Sequence, residues 1–260
     1  MAINVDDVYK TVLYILNKEQ RGYLTPEEFN KIATQVQLET FEKYFEDLNQ
    51  QLRIPENDSE YGNRVKNVEE KLAIFKTQSQ LLYANVSGAG DWYDTQTAPP
   101  NISTNMYKIG TVTYNNSSLS YPVEMQRVER NELTIINKSK LTRPTLEYPL
   151  YVLEEDRIYV YPTITTSSNL TSPISASYLR KPLDVKWGYT SGTLGNYIYN
   201  STEYNASTNP SGSTNFEIHV SDQSEVVLNI LIYAGVVIRD PQIIQTASQK
   251  IQQDEVNEKS

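Results

Sequence analysis

The sequence has no cysteine among its 260 residues and only one histidine. The first absence excludes disulfides and thiolate metal sites. The second means that a Ser-His-Asp triad or a histidine-held metal would have to use His219. His219 stands in FEIHVSD, at the end of an expected strand and just before a helix cap, where a structural or exposed role is expected. Long apolar runs are also missing. The longest, VVLNILIYAGVVI at 226–238, includes Asn229 and falls short of the ~20 residues a bilayer span needs, so a buried helix is expected. The opening MAINVDDVYK has neither a basic n-region nor an apolar h-region, and no signal peptide is expected there. Positive charge is in deficit, with 23 Lys and Arg against 32 Asp and Glu and a net charge of -9. That balance argues against wrapping nucleic acid through a basic surface. SGAGDW lacks the lysine of a phosphate loop and does not open a helix.

Hydrophobic residues make up 38% of the chain, enough for a thin core that neighbours often complete. Tyrosine is abundant: 20 residues, against 5 phenylalanines and 2 tryptophans. Its ring packs while its hydroxyl stays solvated, which suits half-buried sheet faces and interfaces. The Ser, Thr and Asn of the middle third add the signature of exposed β structure with polar loops.

Hydrophobic spacing predicts helices at both ends. Residues 4–19 carry Val5, Val8, Tyr9, Val12 and Leu16 at helical spacing behind a candidate Asn4 cap. A second helix opens at Thr25-Pro26, with Glu28 completing a capping box and Leu24 and Phe29 a hydrophobic staple. A third is expected over about 60–85, and 86–105 is expected to be a linker or exposed loop. From 106 to 220 the period changes to two, predicting strands in MYKIGTVTY, SYPVEMQRV, LYVLEEDRIYVYP and PISASYLRKP, with a short helix in VERNELTII. Residues 188–215 form a long polar insertion of the kind usually disordered or held by a partner. A helix capped at Ser221 or Asp222 runs to about Ile238, and Asp240-Pro241 opens a last amphipathic one through Ile243, Ile244, Ala247 and Ile251. The predicted class is α+β. Residues 1–85 and 221–260 would build one helical bundle, with an antiparallel β-rich module, 106–220, inserted between them.

Candidate chemistry is sparse. LNKEQRGYLTPEEF approaches a calcium loop, with Gly22 sixth and Glu28 twelfth. Position one, however, is Asn17, position three is the long Glu19, and position five is Arg21, a cation where a cation would bind. A corner between two helices is the better account. Glu154, Glu155 and Asp156 are adjacent in an expected hairpin turn, which does not make a facing carboxylate pair. No catalytic, metal or cofactor residue is therefore assigned. SYLRKPLDVKWGY, 177–189, leaves two readings open. Either a proline closes an edge strand and Trp187 covers the β core, or Arg180, Lys181, Trp187 and Tyr189 form a contact surface.

Three stretches carry a resemblance. They are NKEQRGYLTPEEFNKIATQVQLETFEKYFEDLN, PTLEYPLYVLEEDRIYVYP followed by ISASYLRKPLDVKWGY, and LNILIYAGVVIRDPQIIQTASQKIQQDE. Together they resemble virion structural proteins of crAss-like and related tailed phages, over more than half of the chain. The insertion 188–215 lies outside the likeness.

The resemblance implies a non-enzymatic head-to-tail connector: a homo-oligomeric ring, commonly twelvefold, docked to the portal or to a neighbouring neck or tail protein. DNA would pass through its lumen without sequence-specific binding. The protein would be made in the host bacterial cytoplasm and reside in the virion neck, with no membrane partner. Expected interface positions are Arg180, Lys181, Trp187 and Tyr189, then Tyr197 and Tyr199 of the insertion. Ile243, Ile244 and Ile251 of the last helix complete them. The helical part would pack side by side around the ring, and the β module would meet the next component. Two other classes remain: a β-rich receptor- or glycan-binding virion module, suggested by the Tyr/Asn/Ser loops, and a carbohydrate-active enzyme using Glu154 or Glu155.

Overall fold

The computed structural model describes residues 2–18, 23–51, 64–86, 90–94, 106–115, 121–154, 157–163, 173–238, 245 and 247–253. It combines helices with antiparallel and mixed sheets, an α+β fold. The chain divides into two compact units, Met1–Ile74 with Pro182–Ser260, and Phe75–Lys181.

The first unit holds α1 (Val5–Lys18), α2 (Pro26–Gln51), α3 (Arg64–Ala73) and the 16-residue α5 (Gln223–Ile238). Asn4 caps α1, its Oδ1 accepting from Asp6 N at 2.9 Å. Thr25 and Glu28 form the capping box of α2. Thr25 N donates to the Glu28 carboxylate at 2.9 Å, and Glu28 N donates to Thr25 Oγ1 at 3.4 Å. Leu24 and Phe29 beside it are fully buried, as a hydrophobic staple requires. Those bonds engage the Glu28 carboxylate and hold its pKa below the usual carboxylate value. Residues 19–22 of the calcium-like loop lie outside the described residues. Among the described residues no three acidic or histidine side chains are grouped to hold a metal.

The first strand, β1 (Ala2–Ile3), pairs antiparallel with β13 (Phe216–His219), the strand just before the 3-10 turn that leads into α5. The α5 helix packs on α1 and α2, and α3 packs on α2. At 16 residues α5 spans about 24 Å, less than the ~30 Å hydrocarbon core. No described helix is long and apolar enough to cross a membrane.

A polar knot ties α2, α3 and the start of α5. Asp222 is buried and accepts from Tyr44 Oη at 2.5 Å, Lys71 Nζ at 2.8 Å and Ser221 Oγ at 2.9 Å. Burial alone would raise the Asp222 pKa. The bonds from Lys71, Tyr44 and Ser221 together outweigh it and hold the carboxyl below its ordinary value. A depressed native pKa stabilises the fold above the unfolded value of about 3.9 and stops doing so as pH falls through the lower native value. We expect Asp222→Asn to be less stable than the native chain at pH 7. In urea titrations the gap should hold to about pH 5 and close below about 3.9.

The second unit corrects the expected third helix and linker. That helix ends at Ala73, and β2 (Lys76–Gln80) and β3 (Leu82–Val86) follow. Phe75, which extended the helical pattern, is buried just before β2, and Leu82, which also extended it, opens β3. Within the supposed linker, β4 (Gly90–Asp94) pairs with β3 through five residues, so the β module begins some thirty residues early, at Phe75. It also ends early, at Lys181 rather than 220.

Two sheets share its core. One has the order β2-β10-β5-β6, with β5 Met106–Tyr114, β6 Val123–Glu124 and β10 Ile174–Arg180. The other has the order β3-β4-β9-β8-β7, with β7 Gln126–Arg127, β8 Leu150–Glu154 and β9 Arg157–Tyr161. Alternate residues point inward: Ile174, Ala176 and Tyr178 from β10, Ile158 and Val160 from β9. The chain changes sheets at Leu81 and at Met125, each buried in that core. The helix α4 (Arg130–Ile136) lies after β7, and its Arg130 grips Glu154 with Nε and Nη2, the latter at 2.6 Å. Glu154 is thus paired, and not the free solvated turn residue that its place in the sequence suggests.

Candidate protein-interaction surface

The segment 183–187 lies extended along α2. Three α2 side chains one turn apart, Asn30, Thr34 and Gln37, supply the hydrogen bonds that a neighbouring strand would otherwise give. Asn30 Oδ1 accepts from Trp187 N at 2.7 Å, Thr34 Oγ1 from Val185 N at 3.1 Å, and Gln37 Nε2 donates to Leu183 O at 2.6 Å. A helical turn rises about 5.4 Å and two extended residues about 6.6 Å, close enough for the two periods to match over three contacts. The Glu217 carboxylate closes the end by accepting from Leu183 N at 2.8 Å.

That docking drives Trp187 into an aromatic stack. Its ring is 5% exposed and lies 4.5 Å from Tyr9, 5.5 Å from Tyr199 and 6.0 Å from Tyr189. Tyr9 packs in turn on Phe29, and Tyr189 meets Tyr197 edge-on at 4.8 Å. The indole Nε1 donates to Asp6 Oδ1 at 3.1 Å, and Lys10 holds the other oxygen at 2.6 Å. Burial pushes the Tyr9 phenol well above its ordinary pKa, and its hydroxyl donates to Leu24 O at 3.1 Å. Trp187 therefore covers α1 and α2, and not the β core that sequence reasoning offered it.

The insertion 188–215 orders itself, contrary to expectation. Strands β11 (Tyr189–Ser191) and β12 (Tyr197–Tyr199) form a hairpin turned at Gly195, whose φ is 75°. Ser213 Oγ accepts from Gly188 N at 2.9 Å and donates to Asn200 O at 2.5 Å, closing the base of the loop. Asn209 Nδ2 reaches Thr202 Oγ1 at 2.6 Å and Glu203 O at 2.9 Å, and Lys186 exchanges backbone bonds with Thr214. The fold of this loop is written in Asn and Ser side chains rather than in apolar periodicity. On its outer face Leu194, Tyr197, Ile198 and Tyr204 remain exposed.

Beside it lies a groove of about 550 Å³ lined by Leu183, Tyr199, Tyr204 and the three acids Asp184, Glu203 and Glu217. Asp184 and Glu203 form no ion pair among the described residues. Lys186 stands at its margin, its amine bonded to Pro210 O at 2.6 Å and 4.2 Å from the Tyr204 ring centre. Neither the acids nor the groove had a signal in the sequence, because residues 183, 203 and 217 are distant in the chain.

The expected interface positions thus separate. Trp187, Tyr189, Tyr197 and Tyr199 form one cluster in the first unit. Arg180 and Lys181 close the second unit, with the Arg180 guanidinium over the Phe75 ring. Ile243 and Ile244 lie outside the described residues, and Ile251 is half-buried on a helical turn at 247–253.

His219 caps the 3-10 turn Val220–Asp222, its Nδ1 accepting from Ser221 N at 3.3 Å. The Ser221 hydroxyl donates to the Asp222 carboxylate at 2.9 Å and not to the imidazole, which is not the arrangement that activates a serine nucleophile.

No protein-family model matches this chain, and no curated protein matches it.

Proposed function

We propose that the chain is a non-enzymatic virion structural protein, a subunit of a ring in the head-to-tail connector of a tailed phage of the crAss-like kind. One observation carries this reading: large apolar side chains stand in solvent on loops whose backbones are fixed by hydrogen bonds. Leu194 is 95% exposed at the tip of the β11–β12 hairpin, and Leu141 is 96% exposed after α4. Rigid exposed apolar groups are what a subunit presents when its burial is completed by neighbours. The resemblance of 17–49, 144–162, 174–189 and 228–255 to virion structural proteins of crAss-like and related tailed phages suggests the kind of assembly.

In this reading the helices from both ends of the chain form a bundle that packs side by side around a closed ring, commonly twelvefold. The contacts are head-to-tail and close by rotation. The β module meets the portal or the next neck or tail protein. The net charge of -9 gives a lumen along which DNA slides without sticking.

Light-scattering mass across a concentration series tests the assembly. The expected mass is a large multiple of the 29.7 kDa chain, alone or when the portal is added. A value of 29.7 kDa under every condition contradicts a ring.

A further inference from the structure

The segment after α4 stands apart from the rest of this acidic chain. Residues 137–148, NKSKLTRPTLEY, place Lys138, Lys140 and Arg143 within six positions, against the single acid Glu147. Among them Leu141 is almost wholly exposed, Tyr148 is 76% exposed and Leu146 is also in solvent, as is Ile135 in the helix just before. The loop is nevertheless set in shape. Arg143 N donates to Ser139 O at 3.2 Å, Thr142 Oγ1 to Ile136 O at 2.9 Å, and Tyr148 N to Thr145 O at 3.1 Å. Among the described residues Lys138, Lys140 and Arg143 form no ion pair, and Arg143 reaches only Asn137 O, at 3.4 Å. A preorganised loop binds without the entropy cost of ordering it.

We infer that this basic, apolar arm docks into the acidic, tyrosine-lined groove of a second copy of the same chain. The groove offers Asp184 and Glu203 to the arm's cations, and Leu183, Tyr199 and Tyr204 to Leu141. Its volume, about 550 Å³, is in the range that encloses a drug-sized group, comparable with a few side chains. Charge complementarity selects this occupant. The arm is a cationic patch on a chain with net charge -9, and the groove brings together three carboxylates, one of them bonded to Leu183 N, against the single Lys186 at its margin. The exposed leucines and tyrosine favour a protein groove over DNA phosphates, which take cations and polar groups. Arm and groove are different surfaces of one chain, so the contact is head-to-tail and propagates from copy to copy. The inference rests on the ring proposed above and adds to the side-by-side packing of its helices a subunit contact made by an arm of the β module.

A charge swap in the full-length chain tests it. The arm variant is Lys138→Glu/Lys140→Glu/Arg143→Glu, and the groove variant is Asp184→Lys/Glu203→Lys. Glu217 is left alone because it holds Leu183. All five positions are exposed, so the unfolding midpoint should match the native chain in both variants. Each variant alone should sediment as a single chain, with and without portal, because like charges face each other. Mixed one to one, they should assemble again, since each arm then finds a groove of opposite charge. A variant carrying Lys138→Arg, Lys140→Arg and Arg143→Lys should assemble as the native chain does.

Native-like assembly of either charge-reversed variant alone, or no recovery on mixing, overturns the inference and leaves the ring standing. If the arm variant assembles normally but no longer retards linear duplex DNA, the arm serves DNA and the inference is likewise overturned. If the native chain itself never exceeds one subunit, the ring fails, and its contact with it.

Discussion

Replacing Trp187 with alanine should cost about 3–5 kcal/mol of unfolding free energy, the range for deleting a large buried aromatic side chain. The ring is packed among Tyr9, Tyr189 and Tyr199 and anchors the segment that α2 holds through Asn30, Thr34 and Gln37. Its removal leaves a cavity at the junction of α1, α2 and the insertion. It also strips Asp6 of its indole donor, leaving only Lys10 on the other oxygen. Trp187→Phe keeps an aromatic ring and loses the bond, so about 1–3 kcal/mol is expected. Urea unfolding followed by circular dichroism measures both. A loss below ~1 kcal/mol for alanine would mean that the stack is not a core.

Gly188→Ala should be nearly as damaging, for a steric reason. A methyl group built there would stand 2.3 Å from Gly212 O and 2.3 Å from Ser211 O. Both obstacles are backbone, and both belong to the stretch that closes the insertion. We expect a cost of at least about 3 kcal/mol, the upper end for overpacking, and loss of order through 188–215. Two sister substitutions calibrate it. At Gly192 the obstacle is the Asn196 Oδ1, a side-chain end that can swing aside, so the cost should stay under about 1 kcal/mol. At Gly195 nothing lies within 4 Å but φ is 75°, and the left-handed backbone alone should cost alanine about 1–2 kcal/mol. Proteolysis within the insertion should follow the order Gly188 first, then Gly195, then Gly192. Equal behaviour of all three would show that the loop does not depend on this close approach.

The parts of the fold that were legible from sequence are those with strong local signals. The cap at Asn4, the Thr25–Glu28 box and the Leu24–Phe29 staple set the starts of α1 and α2, and period-two alternation marked β5, β8, β9 and β10. The region after Ala73 was not legible. Leu72, Phe75 and Leu82 continue a helical spacing, and only pairing with distant β10 and β4 turns 76–86 into strands. The early start of the β module was missed because β2 is far in sequence from its partner β10, which leaves no periodic trace, and because the Ser and Gly between β3 and β4 read as a loop. The insertion failed differently. Its order comes from Asn, Ser and Gly acting through particular hydrogen bonds, and those residues in sequence signal any polar loop. A local cue was present: YTSGTLGNYIY places two glycines between β-forming runs, a hairpin pattern.

The candidate surface was half legible. Tyr189, Tyr197 and Tyr199 do gather around Trp187, but as the support of one another rather than as a bare contact face. Arg180 and Lys181, adjacent to them in sequence, belong to the other unit. The acidic groove was invisible because it is assembled from three separate stretches, and the basic arm, although contiguous in NKSKLTRPTLEY, gave no sign that its apolar residues stand in solvent.

Negative-stain electron microscopy of the purified chain, alone and mixed with its portal, tests the proposed connector most directly. Closed rings, or portals bearing an added layer of density, are the predicted result, and their rotational symmetry follows from the same images. Single particles of about one chain that leave the portal undecorated would contradict it, and would move the weight to a β-rich module that binds receptors or glycans.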